Sequence, residues 1–327
     1  MTDRITWPPD GGEAGTRVVA FGGGHGLAAT LAALRRLPGL HITAVVTVGD
    51  DGGSSGRLRA DRGALPPGDL RMALAALAED DALSRATAQV MQYRFAGIDP
   101  LAGHAVGNLL LLGLMEAYGD PVVALDHAAA LLRARGRVLP MSPHPVQIEA
   151  RVAGIDPEHP EAVTTVRGQH AVAVCPGRVQ RLGLSPAEPP ACAQAVAAVG
   201  EADWLLFGPG SWYTSVIPHL LVPDLAEAIV ASPARRLVTL NLATESETHG
   251  LSLPDHLRAL TRYLPALRAD VVLADGKAAG DPEPLHRAAE SLGARLILAP
   301  VAVEDGGPRH EPAALAAALA PLLGDVR

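Results

Sequence analysis

Five times along this chain a short apolar run, rich in β-branched residues, stops on a glycine, a carboxylate or an amide. Arg17-Val-Val-Ala-Phe21 runs into Gly22-Gly-Gly-His-Gly26, and Ile42-Thr-Ala-Val-Val-Thr-Val48 runs into Asp50-Asp51. Trp204-Leu-Leu-Phe207 leads to Gly208-Pro-Gly-Ser211, Leu237-Val-Thr-Leu240 to Asn241, and Val271-Val-Leu-Ala274 to Asp275. A run with no polar alternation is a strand covered on both faces, which means a parallel sheet between helix layers. The helix-forming Leu27-Ala-Ala-Thr-Leu-Ala-Ala-Leu34 between the first two runs completes a βαβ unit, whose crossover is expected to be right-handed. The expected fold class is α/β, a Rossmann-like doubly wound, mainly parallel sheet. In such sheets ligands collect outside the carboxyl ends of the strands, so these five ends are expected to converge on one cleft.

The remaining segments are expected to decorate that sheet. Helices are expected at Asp69 to Glu79, Ala82 to Phe95, Gly107 to Tyr118 and Val122 to Leu132, a helix-rich segment over about 69–135. Over about 137–184 the period shortens, and short strands are expected at Gln147–Val152, Thr164–Arg167, Ala171–Val174 and Val179–Leu182 as a small β-rich insertion. A late strand is expected within Arg295 to Val301 and a closing helix at Pro312 to Leu323. Residues 1–16, polar with Pro8 and Pro9, read as a flexible N-terminal segment rather than a signal peptide. With no internal repeat and no long linker, residues 17–327 are expected to form a single domain.

Composition removes several functional classes. Lys and Arg number 27 against 35 Asp and Glu, a net charge of −8, which argues against a nucleic-acid partner held through its phosphates. Hydrophobic residues at 48% exclude a disordered chain. No apolar run approaches the ~18 residues of a membrane span, so a cytoplasmic location is expected. Cys175 and Cys192 lie outside zinc or redox spacings and are expected to be buried thiols.

The strand ends carry the candidate chemistry. Gly22, Gly23, Gly24 and Gly26 around His25 allow close backbone approach, so helix N-terminal amides can face an anion; a plain tight turn is the alternative. The sixth position of the dinucleotide spacing is Leu27 rather than glycine, and no Walker spacing exists. In Asp50-Asp51-Gly-Gly-Ser54-Ser55-Gly-Arg57, the paired carboxylates can hold Mg²⁺ or ribose hydroxyls and the serines can cradle phosphate. Arg57 and Arg59 can clamp a diphosphate or stand as solvated cations. Asp69, after Pro66-Pro-Gly, is a helix N-cap or a ligand contact, and His104 and Asn108 at a helix entry offer hydrogen-bonding groups or structural ones. Gly208 and Ser211 lead into Trp212-Tyr-Thr-Ser215, where an aromatic ring can stack on a base or pack in the core; Asn241 closes the set. Neither a GxSxG nucleophile nor a legible Ser/His/Asp order is present, so no catalytic residue is assigned.

These residues resemble the gluconeogenesis factors, bacterial proteins related in fold to 2-phospho-L-lactate transferase. The resemblance rests on Gly22-Gly-Gly-His-Gly-Leu27, Val46 through Arg59, Pro66-Pro-Gly-Asp69, Gly103-His104 with Gly107-Asn-Leu-Leu110, and Gly208-Pro-Gly-Ser211 with Tyr213-Thr-Ser215. It implies a Rossmann-like core that binds a nucleotide-sugar of the UDP-N-acetylglucosamine type. It further implies a regulatory, non-enzymatic role in cell shape and peptidoglycan precursor supply on gluconeogenic carbon. No cofactor is required in that reading, and cell-wall synthesis proteins and self-association are the partners it suggests. On this resemblance Gly22, Gly23, Gly24, His25, Gly26, Asp50, Asp51, Ser54, Ser55, Arg57, Asp69, His104, Asn108, Gly208, Ser211 and Asn241 form one ligand pocket. The alternative it carries is a transferase of phosphate-linked groups in which Asp50 and Asp51 hold Mg²⁺. Two departures stand out: His25 replaces a common Thr, and Ser246-Glu-Thr-His-Gly250 departs from the usual Gly-Glu-Thr-Asp-Gly.

Overall fold

A computed structural model of the chain describes residues 15–243, 248 and 250–324. Ten strands are formed: β1 (Thr16–Gly22), β2 (Leu40–Val46), β3 (Arg137–Pro140), β4 (Gln147–Ala153), β5 (Val163–Arg167), β6 (Arg178–Ser185), β7 (Trp204–Phe207), β8 (Arg235–Thr239), β9 (Val271–Ala274) and β10 (Arg295–Leu298). Seven make one sheet in the order β10-β9-β8-β7-β1-β2-β3, with every pairing parallel. The chain winds outward from β1 through β2 to β3, then returns beside β1 as β7 and winds the other way. The winding sense therefore reverses between β1 and β7, and the crevice beyond their carboxyl ends is the natural ligand site of such a sheet.

The helices follow from the same sequence logic. The first group is α1 (Gly24–Leu34), α2 (Gly53–Arg62), α3 (Pro67–Leu77), α4 (Ala82–Gln92), α5 (Val106–Tyr118) and α6 (Pro121–Leu131). The second is α7 (Gln169–Ala173), α8 (Ala193–Glu201), α9 (Pro223–Ala231), α10 (Leu253–Tyr263), α11 (Gly276–Ala279), α12 (Glu283–Ser291) and α13 (Pro312–Leu323). Central strands β7 and β9 are buried along their whole length, as unalternating apolar runs require. Phe21 of β1 pairs in register with Phe207 of β7, and the rings stack at 4.9 Å with 9° between their planes. An aromatic pair of this kind adds about 0.5–1.5 kcal/mol beyond its buried area, and it sits directly beneath the crevice.

Three expectations are corrected. Arg137–Pro140 is not part of the insertion; it pairs with β2 as the outer strand of the main sheet, and the insertion is the antiparallel sheet β5-β4-β6. Ala171–Val174, expected as a strand, lies largely in the short helix α7, because a carboxylate from elsewhere in the chain binds the amide of His170 at its start. The Asp50–Arg57 segment turns into α2 at Gly53, a helix its glycines and serines conceal. Asp69 is not an N-cap; α3 begins at Pro67, and the Gly68 N–H donates to Ser55 Oγ at 2.9 Å instead. Cys175 and Cys192 are buried and free. No single helix among the described residues is long and apolar enough to cross a membrane.

Candidate functional site

The crevice at the reversal point is a cleft of about 260 Å³. One wall is the first turn of α1, whose N-cap, Gly23, has no capping side chain; the Gly24 N–H is met by Asp69 from the floor, and the amides that follow in the turn face the cleft. The opposite wall is the turn after β7, through Gly210, Ser211, Thr214 and Ser215. The two walls touch. A Cβ on Gly26 would lie 2.2 Å from the Pro209 carbonyl oxygen, so only glycine lets α1 approach this turn. Thr30 Oγ1 on α1 also donates to the Gly208 carbonyl at 3.3 Å. Asn241, at the end of β8, clamps the turn with two bonds: its Oδ1 accepts from the Gly210 N–H at 2.8 Å, and its Nδ2 donates to the Gly210 carbonyl at 2.9 Å.

The floor of the cleft is acidic. Asp50 and Asp69 both line it, and Asp69 is 7% exposed with Oδ2 lacking any hydrogen-bond partner. Burial first, and the Asp50 charge second, push the Asp69 carboxyl up to about 7, against a smaller opposing pull from the Gly24 N–H and Arg71. Asp51, the other half of the expected pair, faces elsewhere: its Oδ1 accepts from the His170 N–H at 2.9 Å and so starts α7. The carboxylates that meet in the cleft are Asp50 and Asp69. Among the described residues no Lys or Arg lines the cleft; what α7 adds is Gln169, His170 and Ala173.

The expected site residues therefore divide. Gly23, Gly24, His25, Gly26, Asp50, Asp69 and Ser211 line the cleft. Gly22 packs against Leu27 in the core, while Gly208 and Asn241 shape the β7 turn from behind. Ser55 serves the start of α3. Ser54, His104 and Asn108 form a separate buried network: Ser54 Oγ lies 2.9 Å from His104 Nδ1 and accepts from Asn108 Nδ2 at 2.9 Å. Arg57 donates to the Ala102 carbonyl at 2.7 Å and Arg59 approaches the Gly49 carbonyl at 3.4 Å, so neither is a cleft clamp. Trp212 and Tyr213 are core residues, Trp212 donating to the His256 carbonyl at 2.8 Å. His249 lies outside the described residues. Sequence reasoning missed Gln169, His170 and Ala173 because the insertion reaches the cleft through a helix that a β-rich reading hides; Gly168 was the available turn signal.

Similarity to known proteins agrees with this layout. The family model for 2-phospho-L-lactate transferase CofD matches residues 18–296, which takes in both walls and the floor. A Mycobacterium tuberculosis (H37Rv) protein, provisionally named a gluconeogenesis factor, is 50% identical over 306 residues, covering 92% of this chain and 89% of that one. The chain belongs to the gluconeogenesis factor family, within the CofD-like group. A gluconeogenesis factor of Halalkalibacterium halodurans is 38% identical over 265 residues, covering 81% of this chain and 79% of its own. The crystal structure of a UPF0052 family protein from Bacillus halodurans superposes with a TM-score of 0.83 at 34% identity, covering 94% of this chain and 99% of that one. The gluconeogenesis factor fold thus extends over nearly the whole chain, including the small antiparallel sheet that supplies α7.

Proposed function

We propose that this protein binds a nucleotide-sugar of the UDP-N-acetylglucosamine type at the β1/β7 crevice. Its role in this reading is that of a cytoplasmic regulator of peptidoglycan precursor supply and cell shape on gluconeogenic carbon, acting on cell-wall synthesis proteins. The observation that carries this is the glycine-built N-terminus of α1, with no capping side chain at Gly23, facing a wall of hydroxyl residues. Backbone N–H groups there suit a diphosphate, and the Asp50 and Asp69 oxygens suit ribose or sugar hydroxyls. The cleft is smaller than the ~300–1,000 Å³ usual for whole ligands, so it takes the diphosphate and the adjoining hydroxyl-bearing ring while the rest of the ligand extends outward. The test is calorimetric titration with UDP-N-acetylglucosamine, with and without Mg²⁺, followed by chromatography of the recovered ligand. Binding with intact ligand is expected; absence of heat under both conditions overturns the reading.

One observation favours a second reading, a Mg²⁺-dependent transferase of phosphate-linked groups. Asp69 Oδ2 is buried without a partner beside the Asp50 carboxylate, a pair that fits a hard, oxygen-seeking cation. Asp50 and Asp69 would hold Mg²⁺, which when bound neutralises phosphate oxygens. The α1 amides then orient the phosphates and Ser211, Thr214 and Ser215 contact the transferred group. Release of a nucleotide product that requires Mg²⁺ and is lost in Asp50→Asn and Asp69→Asn selects this reading over the regulator.

A further inference from the structure

Arg71 on α3 is 4% exposed, yet its Nε and Nη1 have no hydrogen-bond partner and no carboxylate lies within ion-pair distance among the described residues. A buried guanidinium in that state is costly, and such groups in native proteins call for a water, ion or ligand. Its surroundings make a bare cation worse. The side chain runs past the first turn of α5, where a Cβ on Gly107 would lie 2.9 Å from Arg71 Cγ and Cδ, so glycine is required for the passage. The stem of Arg71 therefore lies beside the positive end of a 13-residue helix whose N-cap, Ala105, has no capping side chain; its first N–H, that of Val106, donates to the Tyr93 carbonyl at 2.9 Å.

Two more arginines reach the same place. Arg94 Nη1 donates to the Gly103 carbonyl at 2.9 Å, and Arg57 donates to the Ala102 carbonyl at 2.7 Å. Burial chiefly, and the Arg94 charge next, hold the Arg71 guanidinium below its ordinary range, while Asp69 and Asp50 oppose this from the cleft side. Within the same layer Asn108 Oδ1 is unpartnered, while Ser54 and His104 bond to each other; Asp61 is the further acid that acts on His104. In a chain of net charge −8, Arg71, Arg94 and Arg57 gather beside the N-terminal turn of α5 with no direct ion pair among the described residues. Asp69 and Asp50 act on Arg71 only from the cleft side, and a directly bonded oxyanion is what the cluster lacks.

We infer that the N-terminus of α5, with Arg71, Arg94 and Arg57, is an oxyanion site, separate from the α1 turn, that takes a phosphate or carboxylate group of a second ligand. Its ligand chemistry is that of a phosphomonoester or a carboxylic acid, and its position behind the Asp50/Asp69 floor lets it sense or supply a group next to the cleft. The inference stands whether or not the cleft binds a nucleotide-sugar.

The test locates the anion as well as its affinity. Crystals of the full chain soaked in selenate, read by anomalous scattering, are expected to show an ion on Arg71 and Arg94. A selenate peak only at the α1 turn, or none, overturns the site. In solution, inorganic phosphate and malonate are titrated separately against the full chain by calorimetry, the two arms distinguishing phosphate from carboxylate preference. Arg94→Met is expected to weaken binding of the preferred anion at least tenfold, and Arg62→Met, an exposed cation paired with Glu116, to leave it unchanged. Arg94 is exposed enough for its variant to fold even where Arg71→Met does not. Equal affinity in Arg94→Met and the unaltered chain overturns the proposal.

Discussion

Asp69 is the residue at which folding and function conflict most directly. Its carboxyl titrates at about 7 in the folded protein against an ordinary 3.8, so the folded state holds this proton more tightly than the unfolded chain. The resulting stabilisation is complete below the unfolded value and is lost as pH rises from about 4 through 7. Asp69→Asn is therefore expected to stabilise the protein at pH 8 by about 2 kcal/mol, discounting part of the full shift for the lost Gly24 contact, and to change little at pH 4. Urea unfolding at the two pH values checks this; equal effects at both refute it. The same substitution is expected to abolish any Mg²⁺ binding in the cleft, a trade of stability for ligand chemistry. At Arg137, whose guanidinium donates to both Asp126 oxygens at 2.9 and 2.7 Å, the opposite holds. Asp126→Ala leaves a half-buried cation unpaired and is expected to cost about 3 kcal/mol, measured by the urea midpoint.

Among the elements, α7 has the least intrinsic reason to exist. Five residues cannot hold a helix by propensity alone, and this one is fixed by Asp51, 119 positions earlier, on the His170 N–H. Asp51→Ala is expected to raise amide exchange across residues 169–173 about fivefold, equivalent to the ~1 kcal/mol of a lost cap, while the main sheet keeps its protection. Uniform loss of protection would mean that Asp51 supports the core instead. This element also shows where sequence reading stopped. Strands β1, β2, β7, β8 and β9 are legible because both faces are buried, so the local pattern reports the tertiary environment directly. Likewise Gly23 to Gly26, Asp50 and Ser211 are legible because they follow the ends of those strands, and Asp69 because Pro66-Pro-Gly marks the helix start beside it. The helix α7 and the parting of Asp50 from Asp51 are set by a contact between distant segments, which no window of neighbouring residues contains. Ser54, His104 and Asn108, expected in one pocket with the cleft residues, instead bond to one another.

The whole molecule carries its own titration signature. His219, His256 and His310 are each held down to about 4, chiefly by burial. Near pH 5 the unfolded chain protonates all three while the folded protein does not, and Asp69 offsets one proton in the other direction. Unfolding is thus expected to take up about two protons, so stability rises with pH between about 4.5 and 6 at roughly 2–3 kcal/mol per pH unit. Urea unfolding across that range reads the slope, and a flat profile would show that these imidazoles are hydrated. A second consequence concerns synthesis on the ribosome. Strand β1 lies inside the finished sheet, yet its neighbour β7 begins at Trp204. Until that segment emerges, the nascent chain presents one flank of β1 as an open edge, the kind of surface on which partly made chains pair with one another. Both halves of the cleft are likewise separated by this interval, so no ligand can rescue a stalled chain; chains arrested before Trp204 are expected to depend on chaperones that shield strand edges, and released chains are not.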